Sequence, residues 1–204
     1  MYLSRIQLDR RDPGVRQCLR NCEDMHRSLM RLFHGSRQEA GVLYRVSNET
    51  MKVYLLSEQK PQAENAVSGM FVSGIKDTST LENNFRIGTC YDFDILVSPS
   101  KKVSMAGCKN SRRRLLRTAQ ERLDWMTRKS RQSGFEIQFM QEEIQPTLYG
   151  RHGAEQGGKM YWSVVRFTGC LKIIDSSKFH TSWKQGIGPG RAYGLGMLLL
   201  RAKL

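Results

Sequence analysis

Gly186-Ile187-Gly188-Pro189-Gly190-Arg191-Ala192-Tyr193-Gly194-Leu195-Gly196 runs directly into Met197-Leu198-Leu199-Leu200. Five glycines, one proline and one arginine in eleven positions read as a loop, and the apolar run behind it reads as a strand from Leu195 to Arg201. The loop has no G-K-[ST] and leads into a strand instead of following one into a helix, so neither a P-loop nor a dinucleotide-binding turn fits. Glycine carries no Cβ and lets the backbone approach another molecule closely. With Arg191 beside them, Gly188 and Gly190 are expected to meet a phosphate-bearing partner.

Working back from that loop, Phe179–Gln185 reads as a short helix, Met160–Ile174 and Phe135–Ile144 as strands, and about Ser111 to Arg131 as a helix with Leu115, Leu116, Ala119, Leu123 and Met126 on its apolar face. The first half repeats the order. Residues 1–9 alternate as a strand. Asp12-Pro13 reads as an N-cap followed by proline at the first helical position. Apolar residues then recur at three and four from Val15 through Phe33, with Asn21 placed to restart the helix after a break. Val42–Val46 and Lys52–Leu56 follow as strands, Ala63–Phe71 as a short helix, and Leu81–Val97 as one or two strands. Each half is thus expected to be β-α-β-β-α-β, the ferredoxin-like pattern. The fold class is α+β, with antiparallel sheets and a division at Pro99 into residues 1–98 and 99–204.

Lys and Arg total 33 against 19 acidic residues, a formal charge of +14. Eleven basic residues lie between Lys101 and Arg131, opposed only by Glu121 and Asp124, so this segment holds nine of the fourteen excess charges. Arg112, Arg113 and Arg114 at a helix start would oppose the helix dipole unless an external anion sat there. Arg117 and Arg128 extend the same surface. Such concentration favours a polyanion groove over a merely solvated face. An A-form RNA duplex hides its bases in a deep, narrow groove and is read by shape and backbone. A basic helix suits that task, as does a glycine-rich hairpin such as Tyr149–Lys159, carrying Arg151, His152 and Lys159.

No apolar run is long enough for a membrane span, and the N-terminus has no signal-peptide layout. Five cysteines without a C-x-x-C read as reduced thiols of a cytoplasmic protein. The histidines are scattered, so no metal site and no cofactor is expected. His26 lies at the edge of the first helix's apolar stripe, with Glu23 and Arg27 about one turn away. It is a boundary histidine in a titratable cluster suited to acid–base work.

Met1-Tyr2-Leu3-Ser4, Met25-His26-Arg27-Ser28-Leu29 and the glycine stretch Gly186–Gly190 through Gly194-Leu195-Gly196 together resemble the CasE family, the CRISPR repeat-processing endoribonucleases of type I-E systems. The resemblance covers almost the whole chain. It implies two tandem RAMP-type (RRM-like) ferredoxin domains. It implies metal-free cleavage of precursor CRISPR RNA at the base of the repeat stem-loop. The enzyme would remain on the crRNA hairpin as a subunit of Cascade, beside its backbone RAMP protein. His26 is the implied general acid or base, with Glu23 and Lys159 as further catalytic candidates. Arg112, Arg113, Arg114, Arg117, Arg128, Arg151, His152 and Lys159 are the implied RNA-binding residues, and the reading of the residues themselves adds Arg27, Gly188, Gly190 and Arg191. Several relatives carry a tyrosine where this chain has Glu23, so no tyrosine role carries over to that position. The competing expectation is a RAMP subunit that binds RNA without cutting it.

Overall fold

The structure is a computed structural model that describes residues 1–103, 112–151 and 158–202. The first strand, β1 (Tyr2–Leu8), leads into α1 (Pro13–Arg20), α2 (Cys22–Met30) and the short α3 (Arg37–Ala40). Then come β2 (Leu43–Ser47), β3 (Lys52–Ser57), a 3₁₀ turn at Ala63–Asn65, β4 (Met70–Asp77) and the single-turn α4 (Ser79–Glu82). The remainder comprises β5 (Cys90–Val97), β6 (Ser100–Val103), β7 (Arg112–Leu115), α5 (Ala119–Gln132), β8 (Phe135–Arg151), β9 (Lys159–Ile173), α6 (Ser176–Gln185), a 3₁₀ turn at Arg191–Tyr193 and β10 (Leu198–Ala202).

Two four-stranded antiparallel sheets result, ordered β2-β3-β1-β4 and β10-β5-β9-β8. Numbered within each half, both orders are those of a ferredoxin-like sheet, as expected. The strand Cys90–Val97, which a division at residue 98 puts in the first half, pairs with β9 and β10 and so belongs to the second sheet. The change of sheet therefore falls between Asp77 and Cys90.

Helix ends follow local chemistry. The Asp12 side chain accepts from the Val15 N–H, with Pro13 at the first position. Asn21 ends α1 and caps α2, its side chain accepting from the Glu23 N–H. Buried Val15, Cys18, Met25 and Leu29 meet Ile6, Leu8, Val53 and Leu55 in one core. Trp125, Met126, Phe179 and Trp183 meet Phe93, Ile95, Phe167 and Leu171 in a second, to which Leu43 and Leu56 of the first sheet also belong. The halves thus share apolar packing.

Two expectations are corrected. Ala63–Phe71 is not a helix: only Ala63–Asn65 turn, and Met70 already pairs with Leu8. Gly69, at φ 74°, lies so close to Asp12 and Val15 that a Cβ would strike both, which fixes the chain's entry into β4. The helix from Ser111 instead starts at Ala119, after Thr118 and Glu121 close a capping box. The Glu121 carboxylate accepts the N–H groups of Arg117 and Thr118. Arg112–Leu115 are left to pair with Ser100–Val103 as a two-stranded ribbon, so the three arginines stand off the positive end of the helix dipole.

Candidate active site

His26 lies half-buried on α2, and three features make up its surroundings, two of them brought from elsewhere in the chain. The first is the base of the β8–β9 hairpin. Asn21 Oδ1 accepts the Arg151 N–H at 3.1 Å, and a Cβ on Gly150 would come within 2.6 Å of Cys22 Sγ. Arg151 faces Lys159 across the ladder, so both cations ride on a strand pair seated against the start of α2. His152 lies outside the described residues.

The second element is the glycine loop. Gly190 and Gly194 both adopt left-handed φ, 80° and 82°, and bracket the 3₁₀ turn Arg191–Tyr193. That turn presents Tyr193 to α2: its ring meets His26 edge-on, with centroids 6.1 Å apart and planes at 73°. Trp162 of β9 also packs on the Tyr193 ring, with centroids 5.8 Å apart. Burial raises the Tyr193 pKa, and so does Glu23, whose carboxylate accepts a hydrogen bond from the phenol. The group therefore stays a neutral donor.

The third element is the charge on α2 itself. Arg27 is bound to Asp24 at 2.8 Å and lies 3.8 Å from Glu23, with its side chain exposed to solvent. Burial, helped by Glu23, pushes the Cys22 thiol up to about 11, so it is no nucleophile.

Sequence and structure now agree on what the chain is. A family model described as CRISPR associated protein matches residues 1–202. This chain belongs to the CRISPR-associated protein family. The CasE resemblance drawn from its motifs stands, and so does the tandem ferredoxin-like fold that the resemblance implied. A CRISPR-associated endoribonuclease, Cse3 of Thermus thermophilus, is 22% identical over 211 residues, covering 97% of this chain and 98% of its own. The structure of Thermus thermophilus Cse3 bound to an RNA representing a pre-cleavage complex superposes with a TM-score of 0.81 at 22% identity, covering 98% of each chain. Cas6e from Escherichia coli K-12 gives 0.74 at 24% identity over the full length of both.

In this family member part of the excess charge is brought together by the ribbon and α5. Arg113 of β7 and Arg128 of α5 both depress the Lys129 pKa, after burial, which places ribbon and helix cations side by side. Arg113, Arg117 and Arg128 are exposed. Arg114 is instead tied to Glu121 at 3.1 Å, and Arg122 forms a two-pronged bridge to Glu142. The side chain of Arg112 is outside the described set.

The glycine loop differs from expectation. The space beside Gly188 is filled by Trp125, and that beside Gly190 by Leu195 and Trp162. Their lack of a side chain serves packing within the chain. Arg191 donates to the Gln185 carbonyl at 3.0 Å, closing the end of α6. Tyr193, which carried no role in the sequence reading, is the loop's contribution to the site. Its signal was an aromatic residue inside a glycine-rich turn.

Asp94 of β5 sits between Arg45 of β2 and Arg166 of β9, with nitrogens at 2.6 and 2.8 Å. Burial alone would raise its pKa, but the bonds from Arg166 and Arg45 outweigh burial and lower it. This bridge joins the sheets beside a cleft of about 450 Å³ that Cys22, Tyr149 and Tyr193 also line. Among the described residues no helix is long and apolar enough to cross a membrane.

Proposed function

We propose that this chain is an endoribonuclease that cuts precursor CRISPR RNA at the base of the repeat stem-loop, works in the cytoplasm and stays on the crRNA hairpin as a subunit of Cascade. The observation that carries the reading is that the base of the β8–β9 hairpin, which bears Arg151 and Lys159, seats on the start of α2, the helix that carries His26, while Arg113, Arg117 and Arg128 lie exposed elsewhere on the same half as the hairpin. The names of its relatives, an endoribonuclease and an RNA-bound pre-cleavage complex among them, support the same reading.

RNA brings its own nucleophile. The 2′-oxygen attacks the neighbouring phosphorus while the bond from phosphorus to the 5′-oxygen breaks. The products are a 2′,3′-cyclic phosphate and a 5′-hydroxyl. One proton leaves the 2′-hydroxyl and one reaches the 5′-oxygen, so the balance needs an acceptor and a donor. His26 serves as one of these, with Glu23 and Lys159 as its companions. Positioning of the splayed nucleotide is worth several orders of magnitude in rate. Fixed cations offset the charge that builds on phosphorus, and the chemistry runs without a metal ion. The exposed arginines grip the stem by its backbone.

The test is a denaturing gel of end-labelled repeat RNA incubated with the protein in EDTA, followed by end-group analysis. One cut at the stem base, with a cyclic phosphate on one fragment and a hydroxyl on the other, is expected. Cutting that stops in EDTA and returns with magnesium overturns the metal-free chemistry. Tight binding with no cut overturns the enzyme and leaves a coating subunit.

A further inference from the structure

We propose that Tyr193 is a positioning residue for the cleavage site, holding Glu23 through its hydroxyl and His26 through its ring. The inference rests on the functional reading above and adds to it a residue from the opposite half of the molecule.

The imidazole torsion is broad and roughly two-fold, so a histidine on a helix needs a neighbour to fix its ring. An edge-on aromatic is such a neighbour, and Tyr193 meets His26 in that geometry at 6.1 Å. The phenol cannot swing away easily. Trp162 packs on its ring at 5.8 Å. Below the turn, a Cβ on Gly194 would lie 3.1 Å from the Tyr44 ring, which is itself fully buried.

The hydroxyl has its own task. A tyrosine that only packed would send its O–H to water. This one donates it to the carboxylate one helical turn before His26. Other groups near that carboxylate are weaker anchors. Arg27 is 3.8 Å away, leaves 57% of its side chain in solvent, and is bound more closely to Asp24 at 2.8 Å. Cys22 is neutral. The phenol therefore sets where the Glu23 carboxylate stands relative to the imidazole.

The experiment compares Tyr193→Phe, which keeps the ring and loses the hydroxyl, with Tyr193→Leu, which loses both. Single-turnover cleavage, hairpin Kd and the ¹³Cε1–H resonance of His26 are read for each. Tyr193→Phe is expected to cut about tenfold more slowly at unchanged Kd. Tyr193→Leu is expected to cut about a hundredfold more slowly and to move the His26 resonance, since the aromatic neighbour is gone. Tyr193→Phe added to Glu23→Ala should cost little beyond Glu23→Ala alone, because both remove one bond. Should the Leu variant fail to fold, the Phe variant and the double mutant decide. Wild-type cleavage rates in Tyr193→Phe overturn the Tyr193 assignment alone. A wild-type chain that binds the hairpin and does not cut overturns the functional reading, and this assignment with it.

Discussion

The two sheets share one strand order, yet the halves are built differently. The second half keeps both crossover helices, α5 and α6, and adds a ribbon, a long hairpin and a glycine loop. In the first half the place of the second helix, between β3 and β4, is taken by one 3₁₀ turn. What the first half lacks in structure it receives from the second. Gly194 rests on Tyr44, Gly150 on Cys22 and Tyr193 on His26. The difference teaches that the candidate site is composite. One half supplies the titratable groups on α2; the other supplies the phenol and the hairpin cations, and carries the exposed arginines elsewhere on its surface. Substitutions that touch only one contribution should therefore separate chemistry, cohesion and grip.

The sharpest separation is chemical. His26→Ala removes the imidazole and leaves the second half's arginines intact. Cleavage should fall by about 10²–10⁴-fold, the usual worth of a positioned acid or base, with hairpin affinity unchanged. Equal losses of rate and binding would mean that the first half also carries the grip.

Cohesion comes next. Asp94→Asn leaves Arg45, whose side chain is only 9% exposed, facing a neutral amide. The expected cost is about 3 kcal/mol in urea unfolding, since breaking a largely buried pair strands a charge. The pH dependence has a definite sign. Asp94 titrates lower in the folded chain than unfolded, so its contribution is full above the ordinary carboxylate range. It is lost as pH falls through the lowered folded value. Wild type should lose stability on acidification more steeply than Asp94→Asn. Parallel curves would show that the halves cohere through Leu43 and Leu56 and not through this bridge.

Much of this was legible in the chain because its signals are local. Asp12-Pro13, the break at Asn21 and the alternation of β9 and β5 each state an element within a few residues. His26 was picked out by its neighbours on one helix. The misreadings share a cause too. Arg112–Leu115 has no apolar period to speak for a strand, and its partner Ser100–Val103 lies across a segment with no pattern of its own. β4 is a strand because β1 offers it a free edge, a fact that no window around Met70 contains. Tyr193 reaches His26 only through the topology of both halves. Gly188 and Gly190 looked open to a ligand because a sequence cannot show that Trp125 and Trp162 already fill the space.

The smallest expected effect tests the grip, and it depends on separating free from paired charge within one basic segment. Arg113 and Arg117 are exposed, whereas Arg114 is bound to Glu121. An arginine that releases a counterion on binding RNA lowers the salt slope by about one when removed. Arg113→Ala with Arg117→Ala should therefore flatten the plot of log affinity against log salt by about two, with the single-turnover rate at saturation unchanged. Arg114→Ala should flatten it by less than one, because Glu121 already neutralises that cation in the free protein and fewer counterions are released from it when RNA binds. If Arg114→Ala flattens the slope as much as Arg113→Ala, the Glu121 bridge opens when RNA binds. The ribbon would then be a surface that rearranges on its ligand instead of one preset by its own carboxylates.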